Sequence, residues 1–219
     1  MRAGGQAAGA SAHGTITGLV ILLLTTCPPT RLPAQVALHA GIGLRYASTL
    51  VRDSIVSPFD VRLGLAPVFA LTAATPLERG WTAEVLLDYG WSDLARHEGG
   101  DAVGLGAVRT LATSIALRHR LPAGMSGRIG VGGLKYLPSA ERGVFRQGSG
   151  PLVALGSLGL RYEAPLSGAR GGGFAVEARY DVHGFITPAL RSAGFTSPRL
   201  VHRVALVLSG RAAGRERAP

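Results

Sequence analysis

The stretch Phe174-Ala175-Val176-Glu177-Ala178-Arg179-Tyr180-Asp181-Val182-His183 repeats with a period of two. Phe174, Val176, Ala178, Tyr180 and Val182 fall on one side, and Ala175, Glu177, Arg179, Asp181 and His183 on the other. Strict alternation marks a strand with two unlike faces. The same pattern recurs on both sides of it. Gln35 to Ala47 sets Val36, Leu38, Ala40, Ile42, Leu44 and Tyr46 against Gln35, Ala37, His39, Gly41, Gly43 and Arg45. Trp81 to Ser92 sets Trp81, Ala83, Val85, Leu87, Tyr89 and Trp91 against Thr82, Glu84, Leu86, Asp88, Gly90 and Ser92.

Five further segments are less regular. Asp60 to Thr72 places Val61, Leu63, Leu65, Pro67, Phe69 and Leu71 opposite Asp60, Arg62, Gly64 and Ala66. Pro67 removes a ladder donor and calls for irregular pairing there. Leu105 to Arg120 carries Leu111, Thr113, Ile115 and Leu117 on one face, with Arg109 out of place at its upper end. Met125 to Tyr136 slips phase at Gly132-Gly133, which predicts a bulge. Leu152 to Glu163 and Leu200 to Arg211 complete eight predicted strands. Residues 48–59, 93–104, 137–151 and 184–199 are long connections. Residues 75–80 and 121–124 are short turns, and 164–173 is intermediate. All long connections therefore fall at one end of the strands, and the termini and shorter turns at the other.

Composition narrows the class. The chain has 219 residues, is 47% hydrophobic and only 16% charged, with 32 glycines, which excludes disorder of the whole chain. Its net charge is +10, and of 23 basic residues only Lys135 is a lysine. These charges are scattered rather than gathered on one face, so no nucleic-acid partner is expected. Residues 1–34 read as a secretory signal peptide: Arg2, an apolar run from Thr15 to Thr26, and a small residue, Ala34, before Gln35. The run stops at Cys27-Pro28-Pro29, short of the roughly 20 residues of a spanning helix. The residue before Cys27 is Thr26, a poor lipid-attachment context. Residues 35–211 form the predicted barrel and 212–219 a basic tail.

Eight amphipathic strands fit either a soluble lipocalin-like barrel, apolar inside, or a membrane barrel, apolar outside. The export signal and the alternating connections favour the second. So do the aromatic positions: Tyr46, Trp81, Tyr89, Trp91, Tyr136, Tyr162 and Phe174 form a predicted girdle at strand ends. Ten residues at about 3.3 Å, tilted by roughly 40°, rise about 25 Å, the height of an apolar membrane band. The polar face is mostly small residues, suiting a narrow lumen. Its charges must pair. The candidates are Glu84, Asp88, Glu177 and Asp181 with Arg62, Arg118, Arg128, Arg161, Arg179 and Arg203.

With its leader, eight alternating strands and alternating connections, the chain resembles the small outer-membrane β-barrels of Gram-negative bacteria, the group that includes the OmpA transmembrane domain and OmpX. The resemblance covers about Gln35 to Arg211 and implies an eight-stranded antiparallel up-and-down transmembrane β-barrel in the outer membrane. It departs at the end of the last strand, where Leu206-Val207-Leu208 leads into a basic tail without the aromatic residue such barrels usually carry.

The expected role is structural or interactive: a monomer in outer-membrane lipid that displays four long loops to an extracellular partner. The alternatives are a narrow pore or small-molecule conduit, and a secreted soluble binder of a hydrophobic ligand. Some members of the resembling group modify lipid A, with a Ser two residues after a strand His. None of His13, His39, His97, His119, His183 or His202 has that arrangement, so no enzyme is expected. No metal or cofactor is expected either. His97, Glu98 and Asp101 share one connection without the carboxylate spacing of a calcium loop. Gly171-Gly172-Gly173 precedes a strand and lacks a lysine, unlike a phosphate loop.

Trp81 and Trp91 decide the orientation of the faces. Brominated lipid is expected to quench their fluorescence in reconstituted vesicles, whereas a soluble barrel would show unquenched emission.

Overall fold

The computed structural model describes residues 36–53, 58–148, 150–165 and 173–211. The predicted signal peptide and the basic tail lie outside these residues. Ten strands follow in chain order: β1 (Ala37–Ala47), β2 (Val51–Asp53), β3 (Phe59–Leu63), β4 (Ala66–Pro76), β5 (Trp81–Glu98), β6 (Asp101–Arg120), β7 (Met125–Pro138), β8 (Val153–Pro165), β9 (Gly173–Phe185) and β10 (Arg199–Arg211). One short helix, α1 (Pro188–Ser192), sits between β9 and β10.

Eight of the strands close on themselves. Going round the ring, β1, β4, β5, β6, β7, β8, β9 and β10 are each hydrogen-bonded to the next, and β10 returns to β1. Every pairing is antiparallel. The remaining pair, β2 and β3, attaches to the upper part of β5 beyond the ring.

Alternation sets the two faces. Ile115, Val131 and Ile129 are more than 60% exposed, while Arg179 and Arg203 on the other face are 3% and 2% exposed. A water-soluble barrel would reverse this, because apolar surface drives inward in water. Here the apolar side chains form the exterior and the charges the interior, so the exterior is a lipid-facing surface. The soluble-binder alternative needs an apolar lumen and does not fit.

Two expectations about register are corrected. β7 runs without a bulge: Thr113 faces Gly133 and Ser114 faces Gly132 in continuous register. The even residues Arg128, Leu134 and Tyr136 all point inward. The alternation loses its phase in the sequence because the inner face itself turns apolar at the long-loop end. The irregularity lies instead in the second strand. Between Leu63↔Leu94 and Val68↔Gly90, four residues (64–67) oppose three (91–93). That extra residue inverts the faces, so Val61 and Leu63 point inward and Arg62 outward. The pairing to β5 resumes at Val68, just after Pro67. A second shift falls between Leu94 and Ala95, opposite Gly104 and Gly106.

The connection at 93–104 is also not a loop. β5 and β6 continue past the ring as a hairpin closed by Gly99-Gly100, whose φ values of 59° and 99° suit a tight two-residue turn. With β2 and β3 it makes a four-stranded sheet above the barrel.

Closure depends on a close approach at Gly43. A Cβ there would lie 2.1 Å from the Leu206 carbonyl oxygen and 2.8 Å from the Val207 Cα, both backbone atoms that cannot give way. Gly43→Ala is expected to destabilise the barrel by about 1–3 kcal/mol, read as a lower urea midpoint and loss of the compact band on unheated gels. Gly210→Ala, with nothing within 4 Å, should behave as wild type.

Candidate functional site: a cross-braced lumen

The inward residues of the lower and middle lumen form an ionic layer. Arg118 on β6 is its centre. Its Nε donates to Glu84 Oε1 at 2.6 Å and its Nη2 to Glu84 Oε2 at 3.1 Å. Nη2 also donates to Glu177 Oε2 at 3.0 Å, and Nη1 to Ser126 Oγ at 3.0 Å. This fork geometry uses the guanidinium as few other side chains can. Glu177 further meets Arg128 at 3.5 Å and Arg179 at 3.4 Å.

These contacts cross the barrel. Arg179 on β9 donates to Asp88 on β5, the strand diametrically opposite in the ring. Arg128 donates to Ser157 Oγ at 2.9 Å, and that hydroxyl donates to Asp181 Oδ1 at 2.7 Å. Arg161 on β8 lies 3.3 Å from His39 Nδ1 on β1, and its Nε is 3.1 Å from Glu163 at the rim. Nine of the ten predicted network residues therefore line the lumen, though Arg203 makes no ion pair among the described residues. Arg62 does not line it. It lies outside on β3 and donates to Asp60 at 2.5 Å, a contact that holds the Asp60 carboxyl below its usual value.

Sequence reasoning passed over Arg45, although it stands on the polar face of the first segment. Its guanidinium is buried and donates to Thr110 on β6. Gly90 makes room for it, since a Cβ there would come within 2.7 Å of Arg45 Nη2.

Of the predicted girdle residues, Tyr46, Trp81, Tyr89, Trp91, Tyr162 and Phe174 are on the exterior. Trp81, Tyr162 and Phe174 lie towards the short-turn end, and Tyr46, Tyr89 and Trp91 towards the long-loop end. Phe69, which the girdle omitted, stacks on Trp91 at 5.6 Å. Tyr136 is the correction. It is 2% exposed and points inward, with its hydroxyl 2.8 Å from His183 Nε2. Arg109 is exposed opposite Trp91, at the upper rim of the outer face.

The two ends of the lumen differ. The long-loop end is filled by an apolar plug. Leu50, Val144, Phe145, Ile186 and Leu190, all from the connections, pack against Leu94, Leu134, Tyr136, Phe185 and Val201 of the strands. The Phe185 ring meets Tyr136 edge-on at 5.2 Å and Phe145 at 5.9 Å. Thr187 ties two connections together: it accepts from Leu190 N as the cap of α1 and donates to the Val144 carbonyl at 2.5 Å. The short-turn end holds a cavity of about 830 Å³, whose lining includes His39, Glu84, Arg118, Arg161 and Glu163. Among the described residues, no three His, Cys, Asp or Glu side chains gather where they could hold a metal.

No protein-family model matches the sequence, and no curated protein sequence matches it. Solved structures do resemble the fold. The outer membrane protein AlkL, studied in lipid bilayers, is 10% identical, with a TM-score of 0.53 over 88% of this chain and 97% of AlkL. OprG from Pseudomonas aeruginosa is 9% identical, with a TM-score of 0.44 over 81% of this chain and 95% of OprG. Neisserial surface protein A is 10% identical, with a TM-score of 0.45 over 81% of this chain and 96% of that one. The likeness to AlkL extends to the fold alone. The chain is thus an eight-stranded all-antiparallel β-barrel with the fold of the small outer-membrane proteins. On that fold, the exposed apolar side chains form a surface suited to lipid.

Removing one member of a buried ionic cluster leaves the others uncompensated. Arg118→Met is expected to cost about 3–5 kcal/mol in the urea midpoint of the detergent-folded protein. Combining it with Glu84→Gln should cost less than the two single changes added together, because the carboxylate then no longer needs a partner.

Proposed function

We propose that the protein serves a structural or interaction role in the outer membrane, as a monomeric anchor whose long connections face outside the cell. The observation that supports this most is the filled lumen: an ionic layer crosses the barrel, and an apolar plug lies above it. In this reading the lumen charges are braces, and the exterior aromatics are the girdle that sets depth in lipid. Long connections outside and short turns inside follow the usual arrangement of such barrels.

The surface available to an extracellular partner is the sheet made by β2, β3 and the upper β5–β6 hairpin. It carries exposed Arg52, Arg62, Arg96 and Glu98, with the Arg96 guanidinium 4.4 Å from the Phe59 ring centre. A hydrogen-bonded sheet that carries both charge signs suits recognition better than transport. The His183 and His202 rings each face a tyrosine hydroxyl, a pairing that supports a non-catalytic reading.

A narrow conduit is the second reading, favoured by the cavity at the short-turn end. Single-channel recording of the purified protein in planar bilayers separates the two. The anchor predicts no discrete conductance steps, and a steady unitary current would establish the conduit.

A further inference from the structure

Arg45 and Arg203 stand apart from the ionic layer. The buried carboxylates Glu84, Asp88 and Glu177 are taken by Arg118, Arg128 and Arg179. Asp181 faces Arg203 across the β9–β10 ladder, but it accepts from Ser157 instead. Arg203 is 2% exposed, and neither Nη1 nor Nη2 has a hydrogen-bond partner. Arg45 is 5% exposed, and its hydrogen bond goes to the neutral Thr110 hydroxyl.

Arg45 and Arg203 both line one small cavity of about 10 Å³ in the upper lumen. Thr110, Ser92 and Tyr136 also line it, the rest of the wall is small or apolar, and no acidic residue contributes. The volume is about that of a single small occupant. Among the described residues the buried lumen holds six arginines against four carboxylates, so Asp181 and its fellows leave part of the positive charge unbalanced, and unused N–H donors add to the cost. A neutral water would satisfy donors but leave the charge.

We propose that this cavity binds one small monoanion of halide size, held by Arg203 and Arg45 with hydroxyl groups around it. The anion completes the electrostatics of the upper lumen beneath the apolar plug. It reaches the site during folding or through slow opening of the barrel, so exchange is slow.

The test uses the full-length protein purified and folded in detergent. At constant ionic strength, replacing gluconate by chloride should raise the thermal unfolding midpoint saturably, by roughly 2–4 °C once the site is several-fold above half-saturation. Arg203→Met should abolish this anion dependence. Crystals of the wild-type protein grown in bromide should show an anomalous peak within hydrogen-bond distance of Arg203 Nη1 or Nη2. This second measurement decides the matter if the variant fails to fold. Identical midpoints in chloride and gluconate with no bromide peak, or a water only at the site, would overturn the proposal.

Discussion

Backbone hydrogen bonding in lipid is the constraint on which the rest of this structure depends. No water is present in the bilayer core to satisfy an unpaired N–H or C=O, so a sheet that spans it must close. Closure here is made at the β1–β10 seam, from His39↔Arg211 to Ala47↔Arg203. Once eight strands close, the interior is only wide enough for side chains. Glycines and short hydroxyl residues then become necessary next to the arginines. The lumen is consequently a packed, charged core inside an apolar shell, the reverse of a soluble domain.

The charge pattern follows from that inversion. An arginine at 3% exposure in a soluble core would be an anomaly, but in this lumen it is the rule. Arg118 satisfies carboxylates from β5 and β9 at once, and Arg179 joins opposite walls. Such cross-strand pairs resist flattening of the barrel in a way that neighbouring-strand contacts do not. The arginine excess over lysine suits this setting, because a planar fork can serve two carboxylates from a fixed position.

Much of this was legible in two-residue periodicity. The period identifies all eight barrel strands, and the choice of which face meets lipid follows from where the aromatic and small residues fall. Most of the errors lie towards the long-loop end, and those in β7 share one cause. Val61, Leu63, Leu134 and Tyr136 point inward there, against the plug. With apolar residues on both faces, alternation loses its contrast. The pattern therefore points Tyr136 to the exterior and a bulge to Gly132-Gly133. Arg62 was misplaced for a related reason: the single extra residue at 64–67 depends on what it faces on β5, and one strand's sequence does not contain its partner's register. The plug was hidden because residues such as Leu50, Phe145 and Leu190 sit in connections without periodicity. The unpaired state of Arg203 depends on side-chain reach across the ring, which spacing along a strand does not encode.

The hairpin that β5 and β6 raise above the ring has a consequence for solubility. The barrel abolishes sheet edges within the bilayer, yet the overhanging sheet creates two new ones, at β2 and along upper β6. Open edges invite pairing with other chains. Each is blunted differently. β2 is three residues long and carries Arg52 and Asp53. On β6, pairing with β7 starts only at Val108, and the stretch below the turn contains Gly104 and Gly106 opposite the register shift. Just above Val108, Ser139 covers Ala107, with its N–H on the Ala107 carbonyl and its hydroxyl on the Ala107 N–H. The protein thus limits strand addition outside the membrane by shortness, charge and a local kink, where inside the membrane it relies on closure alone.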